Sequence, residues 1–234
     1  ALLGLYQSMF SGFAGGGTGS VTVLAGLSAD ELVFNPLLPA QLDREEINQN
    51  NISPNNGAIL SLWTNLYSVI YGANMLLERV GDGQQLPKAI TNQLVGEARF
   101  IRAFSYFYLI NLFGEVPLVI GTSYAENAQL LRHRVDGVYA QVISDLEIAF
   151  ERLEPVYTGE DRLRTNRWTA AALLARVHLY RGDFEQAERW SGRVLEQTDV
   201  YWIEPDISDV FLVGSAEAIW QRASPGLNQN TSEA

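Results

Sequence analysis

The 234-residue sequence predicts a mostly α fold of stacked helical hairpins, with long loops and a few short strands. Three observations carry that prediction. Residues 96–113 place apolar side chains at helical spacing on two sides instead of one, as in a helix clamped between neighbours. A second long amphipathic stretch, 58–80, precedes it across a short connection containing Gly81, Asp82 and Gly83, so the two helices lie antiparallel. From Trp168 onward, small residues and a glycine recur where two helices must touch and turn.

Composition bounds the function. Hydrophobic residues make up 47% of the chain and aromatics 11%, enough for a substantial core in one or two domains. Twenty-seven acids against 16 bases give a net charge of −11, and Lys88 is the only lysine. Nucleic acid would require a basic stripe, and an anionic membrane surface would require basic docking residues. With no cysteine there is no disulfide, thiol nucleophile or thiolate metal site. Two histidines, His133 and His178, are too few for most zinc arrangements, so no metal and no cofactor is expected. No apolar run reaches the roughly 18 residues of a membrane helix, and no signal peptide opens the chain.

In chain order, Leu2, Leu5, Tyr6 and Met9 fall on one face of an opening helix. The stretch GFAGGGTGS lacks the lysine–hydroxyl pair of a phosphate loop and reads as a surface loop. VTVLAGL, from Val21, is expected to be extended and to end in a turn through Ser28, Asp30 and Glu31. From Asn35 to Gly57 the chain reads as one long loop, broken by Pro36, Pro39 and Pro54. Loops of that length in a compact domain are commonly binding loops or disordered. The helix from Ala58 to Val80 turns Ile59, Leu62, Leu66, Ile70, Ala73 and Leu77 inward, with Trp63, Tyr67 and Tyr71 as a second stripe.

The next helix ends at Gly114, which can take the left-handed closing conformation, and Pro117 prevents its continuation. VPLVI then reads as a short strand or arm. Glu97, Arg99 and Arg102 interrupt the aromatic faces. Either the arginines run their stems over apolar surface with wet heads, or they form a buried pair that fixes helix register. A further helix spans Val135 to Leu153, with Val138, Val142, Leu146 and Ala149 inward. Arg162, Arg164 and Arg167 follow in a loop, solvated or paired with Glu160 and Asp161. Ala171, Leu174, Ala175, His178, Gly182, Phe184 and Ala187 then reproduce the tetratricopeptide spacing, Ala175 and Ala187 leaving room for a partner backbone. One such unit cannot bury its own apolar face, so at least three are expected to stack. After Thr198 helix signals fade, and Glu217–Gln221 reads as a strand that pairs with VPLVI or with a segment beyond this chain.

Three blocks together resemble the SusD/RagB family. The first is E-A-R-F-I-R-A-F-S-Y-F-Y-L-I-N-L-F-G-E-V-P-L, which holds Glu97, Arg102, Gly114 and Pro117. Upstream, Trp63, Tyr67, Ile70, Ala73 and Asn74 are similar to that family's preceding helix. Downstream, Arg167 to Ala187, beginning Arg-Trp168, is similar to a third family block. The resemblance implies a single N-terminal helical-repeat domain over 1–234, with a first hairpin at 57–112 and tetratricopeptide-like helices at 135–197. It also implies a lipidated cysteine upstream of Ala1 and a C-terminal half downstream of Ala234. By the same resemblance, Asn74, Glu97, Arg102, Gly114, Pro117, Trp168, Ala175, Gly182 and Ala187 are framework residues.

No enzyme is legible. Adjacent acids such as Glu45-Glu46 are ordinarily solvated, and no pair is set apart as a glycosidase requires. His178 reads as structural and His133 as a solvated loop residue. Binding is the better prospect, since sugars take flat rings and amides that satisfy hydroxyls. Asn48, Asn50, Asn51, Asn55 and Asn56 lead directly toward Trp63. The asparagines either serve turn chemistry or meet a ligand, and Trp63 is either a helix–helix contact or a stacking face. The resemblance implies non-catalytic capture of an oligosaccharide or similar nutrient at the outward face of the outer membrane. Delivery would be to a SusC-like TonB-dependent transporter, with membrane attachment only through a lipid anchor outside this chain. The alternative is a helical-repeat scaffold that binds a protein or peptide and no small ligand. An accessory fragment of a glycoside hydrolase is a third reading.

Overall fold

The computed structural model describes residues 1–15, 19–35, 41–81, 86–159, 162–212 and 214–221, and they are mostly helical. The helices are α1 (Leu2–Gly12), α2 (Val21–Ser28), α3 (Leu42–Asn48), α4 (Gly57–Gly81), α5 (Lys88–Phe113), α6 (Tyr124–Asn127), α7 (Val135–Arg152), α8 (Arg167–Tyr180) and α9 (Phe184–Leu195). Two short antiparallel strands, β1 (Val116–Pro117) and β2 (Arg132–His133), pair Val116 with His133 and Pro117 with Arg132. Parts of the glycine-rich stretch (16–18), Pro36 and Pro39, the 82–83 turn, Glu160-Asp161 and the C-terminal residues from 222 lie outside the described residues.

Two compact units divide within α4, between Val69 and Ile70. In the first unit, α1 buries Leu5, Tyr6 and Met9, the face its periodicity predicts. Two expectations fail here. VTVLAGL is the helix α2, because Ser20 accepts a hydrogen bond from the Val23 N–H and caps it. That cap outweighs the extended preference of Val21, Thr22 and Val23. The long loop also contains the helix α3, with Asp43 and Glu45 in its positively polarised first turn and Ile47 buried. α2 packs on α3.

In the second unit α5 is buried nearly all round along its middle. Ala98, Phe100, Ile101, Ala103, Tyr106, Phe107, Leu109 and Ile110 are all withdrawn from solvent. α7 packs on both α5 and α8, and α8 packs on α9. The inward residues expected of α7, Val138, Val142, Leu146 and Ala149, are fully buried. Gly114 has φ +70° and ψ −126°, so the chain leaves α5 through extended backbone open to glycine and not through a left-handed turn. Residues 217–221 form no strand, and VPLVI pairs with β2 instead. Trp220 makes the tail's contact by another route. Its ring meets Phe100 and Phe104 edge-on at 5.2 and 5.4 Å, and its Nε1 donates to the Leu163 carbonyl. Aromatic edge-to-face packing replaces the expected strand pairing.

Candidate functional site

The asparagine loop divides into residues that build it and residues that do not. Asn56, buried, accepts from the Ala58 and Ile59 N–H groups through Oδ1, each at 3.1 Å, and so caps α4. Its Nδ2 donates to the Asp43 carbonyl at 2.8 Å and to Glu46 at 2.9 Å. Glu46 also accepts from the Ser53 N–H, and these bonds hold its carboxyl below the usual carboxylate range. Asn50 adopts φ +50°, exchanges hydrogen bonds with the Ser28 hydroxyl and carbonyl, and ties the loop to the end of α2. Asn48 accepts from the Phe34 N–H.

Asn51 and Asn55 differ. Both are exposed, and their side-chain amides make no hydrogen bond among the described residues. Trp63 stands seven residues beyond Asn56, two helical turns or about 10 Å along α4. Its ring is half-buried and meets Tyr67 at 5.0 Å and 47°. The structure therefore presents two open amides on a braced loop that leads into an aromatic pair. Such a surface can match hydroxyls and apolar ring faces. Among the described residues no group of acids and histidines is placed to hold a metal ion.

The framework residues of the second unit form a buried polar network. Arg102, 4% exposed, donates through Nε and Nη2 to both oxygens of the fully buried Asp145, and through Nη1 to Asn74 at 2.7 Å. Arg99 joins the same carboxylate at 2.7 Å, and Gln141 donates to it as well. Of the two readings of Arg102, the buried pair holds. Asn74 passes the connection on by donating to the Val119 and Gly121 carbonyls. The Tyr106 hydroxyl accepts from the Val119 N–H and donates to its carbonyl, and burial pushes its pKa up. The segment after Pro117 is thus held from two helices.

Glu97 is fully buried and accepts from Gln93 and from Arg164, 2.5 Å away. That corrects the reading of the 162–167 arginines as solvated or locally paired. Arg164 reaches back to α5. Arg167 donates to the Phe150 and Leu153 carbonyls and covers the Phe150 ring. Arg162 donates to the carbonyls of Val200, Ser215, Ala216 and Ala218 and lies over the Tyr157 and Tyr201 rings. These carbonyl acceptors leave no trace in sequence. Asp145 does leave one, as a lone acid on the apolar stripe between Val142 and Leu146.

In the tetratricopeptide-like pair, Gly182 takes φ +73° at the turn, and Trp168 meets Phe150 edge-on at 6.1 Å. His178, buried, lies 3.2 Å from Asp183, the residue that caps α9. Ala175 and Ala187 are half-buried and line an open groove of about 480 Å3 with Leu179, Tyr180 and Phe184, the last 69% exposed.

Residues 29–179 match the SusD-like family described as "Starch-binding associating with outer membrane". A curated relative, SusD-like protein P25 of Formosa agariphila, is 28% identical over 174 residues, covering 73% of this chain and 33% of its own length. The chain thus spans about a third of that relative. A SusD superfamily crystal structure from Bacteroides vulgatus aligns with TM-score 0.80 and 21% identity over 94% of this chain and 47% of that one. A laminarin-binding SusD-like protein aligns with TM-score 0.74 and 24% identity, covering 87% and 45%.

Proposed function

The chain belongs to the SusD-like family, and from that membership we propose that it captures a glycan at the outer membrane without transforming it. The observation that carries this reading is the contrast within one loop. Asn48, Asn50 and Asn56 spend their amides on structure, while Asn51 and Asn55 leave theirs open ahead of Trp63 and Tyr67. Amides donate and accept at once, as sugar hydroxyls require, and an indole face suits the C–H side of a pyranose. A relative whose fold aligns with this one binds laminarin, which is consistent with that chemistry.

Titration calorimetry of the chain against a panel of soluble glycans tests the reading. At least one glycan is expected to bind, Asn51→Ala/Asn55→Ala is expected to weaken it by about tenfold, and Trp63→Ala by a similar factor. New reducing ends appearing on incubation would contradict non-catalytic capture.

Delivery to a SusC-like TonB-dependent transporter and an outward-facing position held by a lipid anchor complete the proposal. The helical stack is the surface offered to that transporter. Its support is the groove between α8 and α9, where Leu179, Tyr180 and Phe184 are exposed over the small residues Ala175, Ala187 and Ser191. The same groove favours the second reading, a scaffold for a protein or peptide. Co-purification with the transporter, lost on Phe184→Glu, tests this contact. No described helix is long and apolar enough to cross a membrane.

A further inference from the structure

Building on the capture reading, we infer that the asparagine-loop site selects uncharged glycans and rejects uronate-bearing and sulfated ones. The unit that carries the site has almost no positive charge. Residues 3–69 contain Asp30, Glu31, Asp43, Glu45 and Glu46 against one base, Arg44. A bound carboxylate or sulfate gives up hydration that only cations or converging N–H donors replace.

The natural substitute for a cation here would be the N-terminus of α4, a 25-residue helix whose first N–H groups point toward the loop. That seat is already filled by the protein. Asn56 Oδ1 takes the Ala58 and Ile59 N–H groups. The Asp43 carboxylate stands so close to Gly57 that a β-carbon there would lie 2.9 Å from its Oδ2. Glu46, held ionised by Asn56 and Ser53, adds a second negative charge behind the loop. What remains for a ligand is two neutral amides and an aromatic pair. Such groups satisfy hydroxyls and C–H faces, and they offer an anion nothing beyond single N–H donors.

The test is calorimetric titration of the 234-residue chain with laminarin and xyloglucan as neutral probes and with alginate and carrageenan as anionic ones, at low salt and at about 0.5 M. A neutral probe is expected to bind with an affinity that salt leaves unchanged and that Asn51→Ala/Asn55→Ala reduces about tenfold. The anionic probes are expected not to bind. Asn51→Arg/Asn55→Arg is expected to acquire salt-sensitive alginate binding with its melting temperature retained, and the absence of that gain would overturn charge as the reason for exclusion. Alginate or carrageenan binding by the unaltered chain, lost in the double alanine variant, would overturn the selectivity and leave capture standing. Binding of no probe at all would overturn both.

Discussion

Arg102 presents Nε and Nη2 to the two carboxylate oxygens of Asp145, at 2.8 and 2.7 Å, across the contact between α5 and α7. The pair is bidentate, and both side chains are withdrawn from solvent. Its remaining bonds run from Arg102 to Asn74 and from Arg99 and Gln141 to Asp145, so the pair joins α4, α5 and α7 within the second unit.

Breaking this pair from one side leaves an uncompensated buried charge. Asp145→Ala is expected to lower stability by about 3–5 kcal/mol, and Arg102→Ala by a similar amount. The paired replacement Asp145→Leu/Arg102→Met is expected to cost much less than the sum. Chemical denaturation of all three variants measures the coupling, and additive losses would mean the two residues are not a unit.

Glu97 and Arg164 repeat the logic between α5 and the loop before α8. Glu97→Gln keeps the shape and removes the charge, so a loss of about 1–3 kcal/mol is expected. Because Arg164 tethers the 162–166 loop, protease cleavage in that loop is expected to accelerate in this variant.

Neighbouring asparagines are expected to behave oppositely. Asn56→Ala removes the α4 cap and should cost about 1–2 kcal/mol in thermal unfolding. Asn55→Ala should leave the melting point within the effect of about 0.5 kcal/mol while weakening glycan binding severalfold. Loss of fold from Asn55→Ala would remove it from the proposed site.

Burial raises the pKa of Tyr106, Tyr108, Tyr139, Tyr157 and Tyr201, five of the ten tyrosines. In Tyr157 and Tyr201 the hydroxyls also bond each other, and Asn166 donates to Tyr201. A folded pKa above the unfolded one favours the fold below about pH 10, and that contribution fades as pH climbs toward the folded values. Phenolate absorbance is therefore expected to rise in two steps, with the second accompanying loss of helical circular dichroism. A single step near pH 10 on an intact fold would contradict the burial.

Acid acts on the loop through the opposite sign. Glu46 is held below the ordinary carboxylate range, so its contribution is present above that range and fades as pH falls through its folded value. Glycan binding is expected to weaken in the same acidic window, and Glu46→Gln is expected to flatten that response.

Sequence by itself determined the helical hairpins, the inward faces of α1 and α7, and the family. The hairpins and faces follow from local periodicity and small-residue spacing, and the family from three motif blocks that resemble those of its members. It misjudged α2 and α3, where a serine cap and two acids in a first turn outweighed β-branched residues and prolines. Only the tertiary structure decided the partners. Arg102 with Asp145, Glu97 with Arg164, and Arg162 with four carbonyls near the C-terminus join residues far apart in the chain, and a charge carries no mark of which distant group will satisfy it. The division of labour among the loop asparagines was decided the same way, because identical side chains differ only in which backbone groups the fold brings within reach.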